Sequence, residues 1–333
     1  MGFSSEGFLG GVDIGGTKLA VGVSDLHGRL LSVVREPTDR SRGPDAVMTA
    51  LERMLRQALK EAESTAGVNQ KGADLLKAIG IAVGGPLDPE RTVVLRAPNL
   101  PGWDNYPVKA FFEERFGVPA NMDNDANAAG LGEARVGAGK GFSHVAYFTV
   151  STGIGGGIVV NGRVYRGATA AAGEFGHQII LPDGPQCLCG RRGCLEALAS
   201  GTSIARRARE SVPKDALLWR MAEGNPEKIT AELTARAALA GDSFCQKLWE
   251  ETGFYLGLGV ANVINILNPN RVVLGGGVTN AGDLLFVPVR RTVAERGMRE
   301  LVSACEVVPA QLGGNVGVIG AICLAQDLLA GDK

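Results

Sequence analysis

The sequence predicts an α/β protein of two lobes with related topology. Three observations carry this prediction. Strand-like runs alternate with long helix-like segments, the mix that layers helices on sheets. Each half opens with a strand, a glycine turn and two further strands, over 8–34 and over 145–165. Each half later holds an apolar strand that ends in glycines, at 78–85 and at 271–277. This is a loose repeat of topology with little identity. The 333 residues are enough for about two domains. With 45% hydrophobic and 21% charged residues the chain can bury a core, which argues against global disorder.

The elements follow in order. An apolar run over 8–14 leads into the turn Gly15-Gly16-Thr17-Lys18, a returning strand over 19–24, the turn Asp25-Leu26-His27-Gly28 and a third strand from Leu30. A helix is predicted over 44–64, where Val47, Leu51, Met54, Leu55, Ala58 and Ala62 keep the helical period and Gly43-Pro44-Asp45 suits its start. Residues 78–83 read as a buried strand ending in Gly84-Gly85-Pro86. A loop-rich stretch leads to a short helix over 107–116, stopped by Gly117. A strand or loop then reaches Asp123-Asn124-Asp125, with a helix after it. The pattern recurs with a strand over 145–150, a glycine turn over 151–157, a strand over 158–160, the hairpin signal Asn161-Gly162 and a strand from Arg163. The segment 253–268 reads as a packing helix, and 316–330 as an apolar helix. The expected division gives 1–124 plus the C-terminal helix, about 316–333, to a small lobe and 125–315 to a large one.

Composition excludes several function classes. Thirty-four Lys and Arg against 35 Asp and Glu give a net charge of -1, which removes the electrostatic argument for a nucleic-acid partner. No apolar run approaches the roughly 20 residues of a membrane span. The start MGFSSEGFLGG lacks the features of a secretory signal, and Glu6 stands where a myristoylation signal needs Ser or Thr. The expectation is a cytoplasmic protein with no membrane or nucleic-acid partner. The 48 glycines, about twice the usual ~7%, gather at the ends of apolar runs, which favours turns whose amides approach a ligand.

Four motifs carry chemistry. In GVDIGGTK (11–18) a strand ending in Asp13 turns through Gly15 and Gly16 into Thr17 and Lys18. Such a turn can aim amides and a hydroxyl at phosphate oxygens, and Asp13 could hold Mg²⁺ through water. Neither a Walker A loop nor a Rossmann fingerprint fits these residues; an ordinary glycine hairpin does. STGIGGG (151–157) repeats the design, and the pair suggests a polyphosphate held from two sides through Thr152 and Gly153. DNDANAAG (123–130) places Asn124 and Asp125 at the expected lobe junction. There a carboxylate could take the proton of a hydroxyl attacking phosphorus, and the same residues would equally serve as helix N-caps. GEFGH followed by CLCGRRGCLE gives His177, Cys187, Cys189 and Cys194, a Cys₃His set for a closed, structural zinc site. Three clustered cysteines in a cytoplasmic-looking chain suggest metal before disulfide. Glu174 and Glu196 flank this site, and spacing alone fits solvated surface carboxylates as well.

These motifs, in this order from Gly11 to about Leu329, resemble the ROK family of sugar kinases and repressors, within the sugar kinase, actin and heat-shock ATPase fold. The resemblance implies a two-lobed actin-like ATPase fold with duplicated mixed-sheet domains. It implies ATP-dependent transfer of the γ-phosphate to the 6-hydroxyl of a hexose, glucose first, with N-acetylmannosamine, N-acetylglucosamine, fructose or another hexose as alternatives. Asp125 is then the catalytic base, and Gly85, Asn99, Asn124, Glu174, His177 and Glu196 are sugar contacts. Gly15, Gly16, Thr17, Lys18, Thr152 and Gly153 take phosphates, Asp13 serves Mg²⁺, and Gly275, Gly276 and Gly277 lie near the adenosine. His177 would use one ring nitrogen for Zn²⁺ and the other for sugar. A homodimer is implied as well. The repressor branch carries an N-terminal helix-turn-helix domain, and a first phosphate motif at residue 11 is expected to leave no room for one.

Overall fold

The computed structural model describes residues 7–68, 72–97 and 100–331. Its strands in chain order are β1 (Phe8–Ile14), β2 (Lys18–Asp25), β3 (Leu30–Pro37), β4 (Leu76–Val83), β5 (Ala120–Asn124), β6 (His144–Val150), β7 (Ile154–Val160), β8 (Arg163–Val164), β9 (Arg271–Gly275) and β10 (Glu306–Pro309). They form two five-stranded sheets, β3-β2-β1-β4-β5 and β10-β9-β6-β7-β8. Each sheet starts on a central strand that turns back through an antiparallel hairpin, and each adds two parallel strands on the other side of that strand. The duplication expected from the sequence is therefore present in strand order.

The chain divides into two compact units. One holds the described residues up to Gly141, Gly157–Ala172 and those from Gln311; the other holds Phe142–Gly156 and Gly173–Ala310. In the first unit the period-2 alternation of β1 sorts its side chains. Phe8, Val12 and Ile14 join Met48, Leu51, Met54, Leu55 and Ala58 of the Gly43–Ala66 helix in one core. Leu9 belongs to a second cluster with Val318, Ile322 and Ala325 of the C-terminal helix Val316–Leu329. The first sheet is thus sandwiched between helices.

The C-terminal helix lies unusually close to its neighbours, and glycine is the reason. A Cβ on Gly80 of β4 would fall 1.6 Å from the Ala321 carbonyl oxygen. One on Gly320 would fall 2.0 Å from the carbonyl oxygen of Ala128, in the helix Asp125–Val136. Part of the glycine excess therefore serves close packing, where the sequence suggested only ligand-facing turns. This packing also places the Asp125–Val136 helix in the first unit, whereas the expected division began the large lobe at residue 125.

In the second unit, the helices Ser243–Leu267 and Asp283–Arg296 pack through Gly253 and Gly257, whose absent side chains leave room for Pro288 and Thr292. Trp249 is buried and donates its indole N–H to Thr234 Oγ1 at 3.2 Å. One element differs from the expectation. Gly155, Gly156 and Gly157 continue β7 rather than forming a turn before it. A Cβ on Gly156 would meet the Phe175 ring at 2.3 Å, so this stretch of strand can carry no side chain there. No helix among the described residues is long and apolar enough to cross a membrane.

Candidate active site and metal cluster

In the first unit the site grows from three parallel strand ends. β1, β4 and β5 are neighbours in register, with Ile14 opposite Val83 and Val83 opposite Asn124. Their carboxyl ends bring Asp13, Gly84-Gly85 and Asn124-Asp125 side by side, the end of a parallel sheet at which ligands bind. The turn after β1 closes through the Gly15 N–H on the Lys18 carbonyl at 3.1 Å. Thr38 braces it twice: its N–H donates to Thr17 O at 3.0 Å, and its hydroxyl donates to Gly15 O at 2.7 Å. Gly16, Thr17 and Lys18 remain accessible at its tip. Asp13 lies behind this turn, mostly withdrawn from water. Burial, and then the nearby Asp125, push its pKa up to about 7 against the pull of Lys18 and Arg35.

Asp125 opens the Asp125–Val136 helix. Its Oδ1 accepts the Ala126 N–H at 2.8 Å, while Oδ2 faces Gly84, where a Cβ would approach to 3.3 Å. The carboxylate touches solvent, yet protein on a longer radius thins the bulk water around it. That dehydration raises its pKa above the ordinary carboxylate value, against the N–H bond from Ala126. Asn124 is the N-cap: its Oδ1 accepts the Ala126 N–H at 2.9 Å, and its Nδ2 donates to Gly85 O at 3.3 Å. Gly85 has a φ of 115°, and a Cβ there would lie 2.3 Å from the Arg96 carbonyl oxygen, so only glycine fits.

Beneath this pair lies Asp123, which is 1% exposed. Its Oδ1 accepts the Asn124 N–H at 2.8 Å and the Asn127 amide at 2.9 Å. Its Oδ2 accepts Arg166 Nε at 2.7 Å and lies 3.7 Å from Arg91 Nη1. Asp123 stands within the DNDANAAG motif, and nothing in the sequence signals this task for it. Thr38, Arg91 and Arg166 went unmarked because their partners are remote in the chain.

In the second unit the paired parallel strands β6 and β9 repeat the arrangement, with Thr149 opposite Gly275. The turn after β6 closes through the Ser151 N–H on Gly153 O at 2.9 Å. Gly276 crosses beside it with a φ of 90°, and Gly277 opens a short 3₁₀ turn. Thr202 donates its hydroxyl to Thr152 O at 2.8 Å, a brace that nothing in the sequence signalled. Glu196 reaches the same hairpin: its Oε2 accepts the Ile154 N–H at 2.8 Å.

The donor atoms of His177, Cys187, Cys189 and Cys194 all lie within 4.8 Å of one another. His177 Nδ1 is 3.8 Å from Cys187 Sγ, and Cys189 Sγ is 3.7 Å from Cys194 Sγ. The other ring nitrogen of His177 faces Glu174, 3.8 Å away. Burial and the adjacent thiols push Cys194 up to about 12 and raise Cys187, while the Arg191 N–H holds Cys189 below its ordinary value. No disulfide joins them. Asn99, a sugar contact implied by resemblance, lies outside the described residues.

Duplicated mixed sheets, each presenting a glycine hairpin beside a strand end, define the class of the actin-like ATPases. The chain belongs to the ROK family, whose model matches residues 9–328. It is 36% identical to a glucokinase of Thermotoga maritima, over 96% of this chain and 98% of that protein. A ROK family glucokinase of Streptomyces griseus, solved in complex with glucose and AMPPNP, superposes with a TM-score of 0.76 at 35% identity, covering 96% of this chain and 100% of that one. A xylose repressor of Caldicellulosiruptor bescii is 30% identical over 97% of this chain and 79% of its own length.

Proposed function

We propose that the protein is an ATP-dependent hexose kinase that phosphorylates glucose on its 6-hydroxyl. The observation that carries this reading is the convergence of Asp13, Gly84-Gly85 and Asn124-Asp125 at three parallel strand ends, with Asp125 exposed there. Identity to glucokinases, higher than to the repressor, supports glucose as acceptor.

Asp125 takes the proton of the sugar hydroxyl as that oxygen bonds to the γ-phosphorus. The bond from that phosphorus to the β–γ bridging oxygen breaks, and ADP leaves. Phosphoryl transfer of this kind depends on positioning and charge stabilisation more than on covalent chemistry. The raised pKa of Asp125 makes it a better proton acceptor than an ordinary carboxylate. Gly15, Gly16, Thr17, Lys18, Thr152 and Gly153 supply amides, hydroxyls and a charge for the phosphates. Asp13 would hold Mg²⁺ through water, where it neutralises phosphate charge. Gly275, Gly276 and Gly277, bare of side chains, suit close approach of the nucleoside. Glu174, His177 and Glu196, with Asn124, Gly85 and Asn99, hold the sugar hydroxyls. Because the Asn124 amide is bonded on both sides, it positions Asp125 as well.

His177, Cys187, Cys189 and Cys194 fit Zn²⁺. The 3.7 Å between Cys189 Sγ and Cys194 Sγ matches the edge of a tetrahedron, about 3.8 Å for Zn–S bonds near 2.3 Å, and the four donors lie within 4.8 Å of one another. With four protein donors such a site is structural. It would orient the His177 ring and pin Cys194, the N-cap of the short helix Leu195–Ala199 that carries Glu196. The same reading places the protein in the cytoplasm as a homodimer. The test is ADP release from Mg·ATP against a panel of hexoses and N-acetylhexosamines. Glucose should give the highest kcat/KM, and the absence of any sugar-dependent ADP release overturns the proposal.

A further inference from the structure

Glu133 has no place in the reaction above, yet it is completely buried, two turns along the helix that Asp125 opens. Backbone N–H groups meet its carboxylate. Oε1 accepts from Gln311 at 3.0 Å and from Leu312 at 2.9 Å. Oε2 accepts from Ala138 at 2.8 Å and shares the Gln311 N–H at 3.2 Å. Replacing one charged acceptor in such a set leaves buried donors unpaired, which costs more than an ordinary hydrogen bond.

The anchored turn leads directly to the other carboxylate of the site. After Leu312 the chain passes through Gly313–Asn315, where Arg35 donates to Asn315, and enters the helix Val316–Leu329. Gly317 lies in the first turn of that helix. A Cβ there would come within 2.3 Å of Asp13 Oδ2, so the helix end is the wall against which Asp13 rests. The position of this wall depends on where the 311–312 turn is held, and Glu133 holds it.

We propose that Glu133 is a positioning residue for Asp13. It ties the helix bearing Asp125 to the helix end beneath Asp13 and so sets the seat of the carboxylate that serves the nucleotide's metal ion. This rests on the kinase reading of the site.

The test uses the full chain and reads ligand binding and amide exchange rather than turnover. In Glu133→Gln the 311 and 312 amides should exchange at least about tenfold faster, and Mg·ADP affinity should fall about tenfold, or about 1.4 kcal/mol. Glucose affinity, measured without nucleotide, should stay within about threefold of wild type. A role confined to stability would lower the melting temperature and leave this split between ligands absent. Gly317→Ala crowds Asp13 while leaving Glu133 intact. It should reproduce the Mg·ADP loss with normal exchange at 311–312, and it decides the matter if Glu133→Gln does not fold. Wild-type Mg·ADP affinity in either variant, or equal losses for both ligands, overturns the proposal. If the wild-type protein itself binds no Mg·ADP, the kinase reading falls first and this inference with it.

Discussion

Asp13 should make the folded protein less stable as pH rises, and Asp13→Asn should remove that loss. Its pKa is about 7 in the fold and 3.8 ordinarily, so the folded state binds this proton more tightly than the unfolded chain. For a carboxyl raised in this way, stability is greatest at low pH and falls as pH rises from about 4 towards 7. Between pH 5 and 8 the interval still to be titrated runs from 5 to about 7. At 1.36 kcal/mol per decade this is worth about 3 kcal/mol as a ceiling. Residual access to water should reduce it to about half. The assay is urea unfolding of wild type and Asp13→Asn at pH 5 and pH 8, without nucleotide or added Mg²⁺. Relative to wild type, the variant should gain about 1–2 kcal/mol at pH 8 over its value at pH 5. On the proposed role it should also lose phosphoryl transfer, because a neutral amide cannot replace a carboxylate that holds a hydrated cation. Parallel pH profiles for the two proteins would refute the reasoning. Diverging profiles would show a site held at the expense of stability.

Three further outcomes are expected. Asp125→Asn should keep glucose affinity and lower kcat by at least about 10²-fold; near-normal turnover in a coupled assay would remove Asp125 from the role of base. Stripping metal with a chelator, or Cys194→Ser, should weaken glucose binding and loosen residues 177–196 together, which isothermal titration and limited proteolysis would report; unchanged affinity in metal-free protein would refute the positioning role of the cluster. Arg166→Met should destabilise the first unit by about 2 kcal/mol by removing one of the two arginines that face the buried Asp123, and it should lower kcat more than it raises the KM for glucose, since Asp123 also accepts the Asn124 backbone N–H.

Much of the site was legible because its chemistry is local in sequence. Asp13 and the Gly15-Gly16-Thr17 turn are neighbours on one hairpin, and three of the four members of the Cys/His cluster fall within eight residues. The braces were not legible. Thr38 on the Gly15 turn, Arg166 on Asp123 and Thr202 on Thr152 join residues 23, 43 and 50 positions apart. An arginine or a threonine carries no mark of the distant group it will meet. Glycine misled for a related reason: a residue that lets backbone approach a ligand also lets helix approach strand, and Gly80 and Gly320 do the second.

The amino-acid sequence by itself determined the α/β class, the two hairpin motifs, the duplicated strand order and the Cys₃His donor set, because periodicity and spacing along the chain express these directly. Only the tertiary structure decided that the Asp125–Val136 helix packs with the C-terminal helix, that Asn124 is bonded on both sides, and that a buried Glu133 anchors the 311–312 turn. Those outcomes depend on which surfaces are small enough to meet and on which backbone N–H groups are left without partners, and both are settled only when remote segments come together.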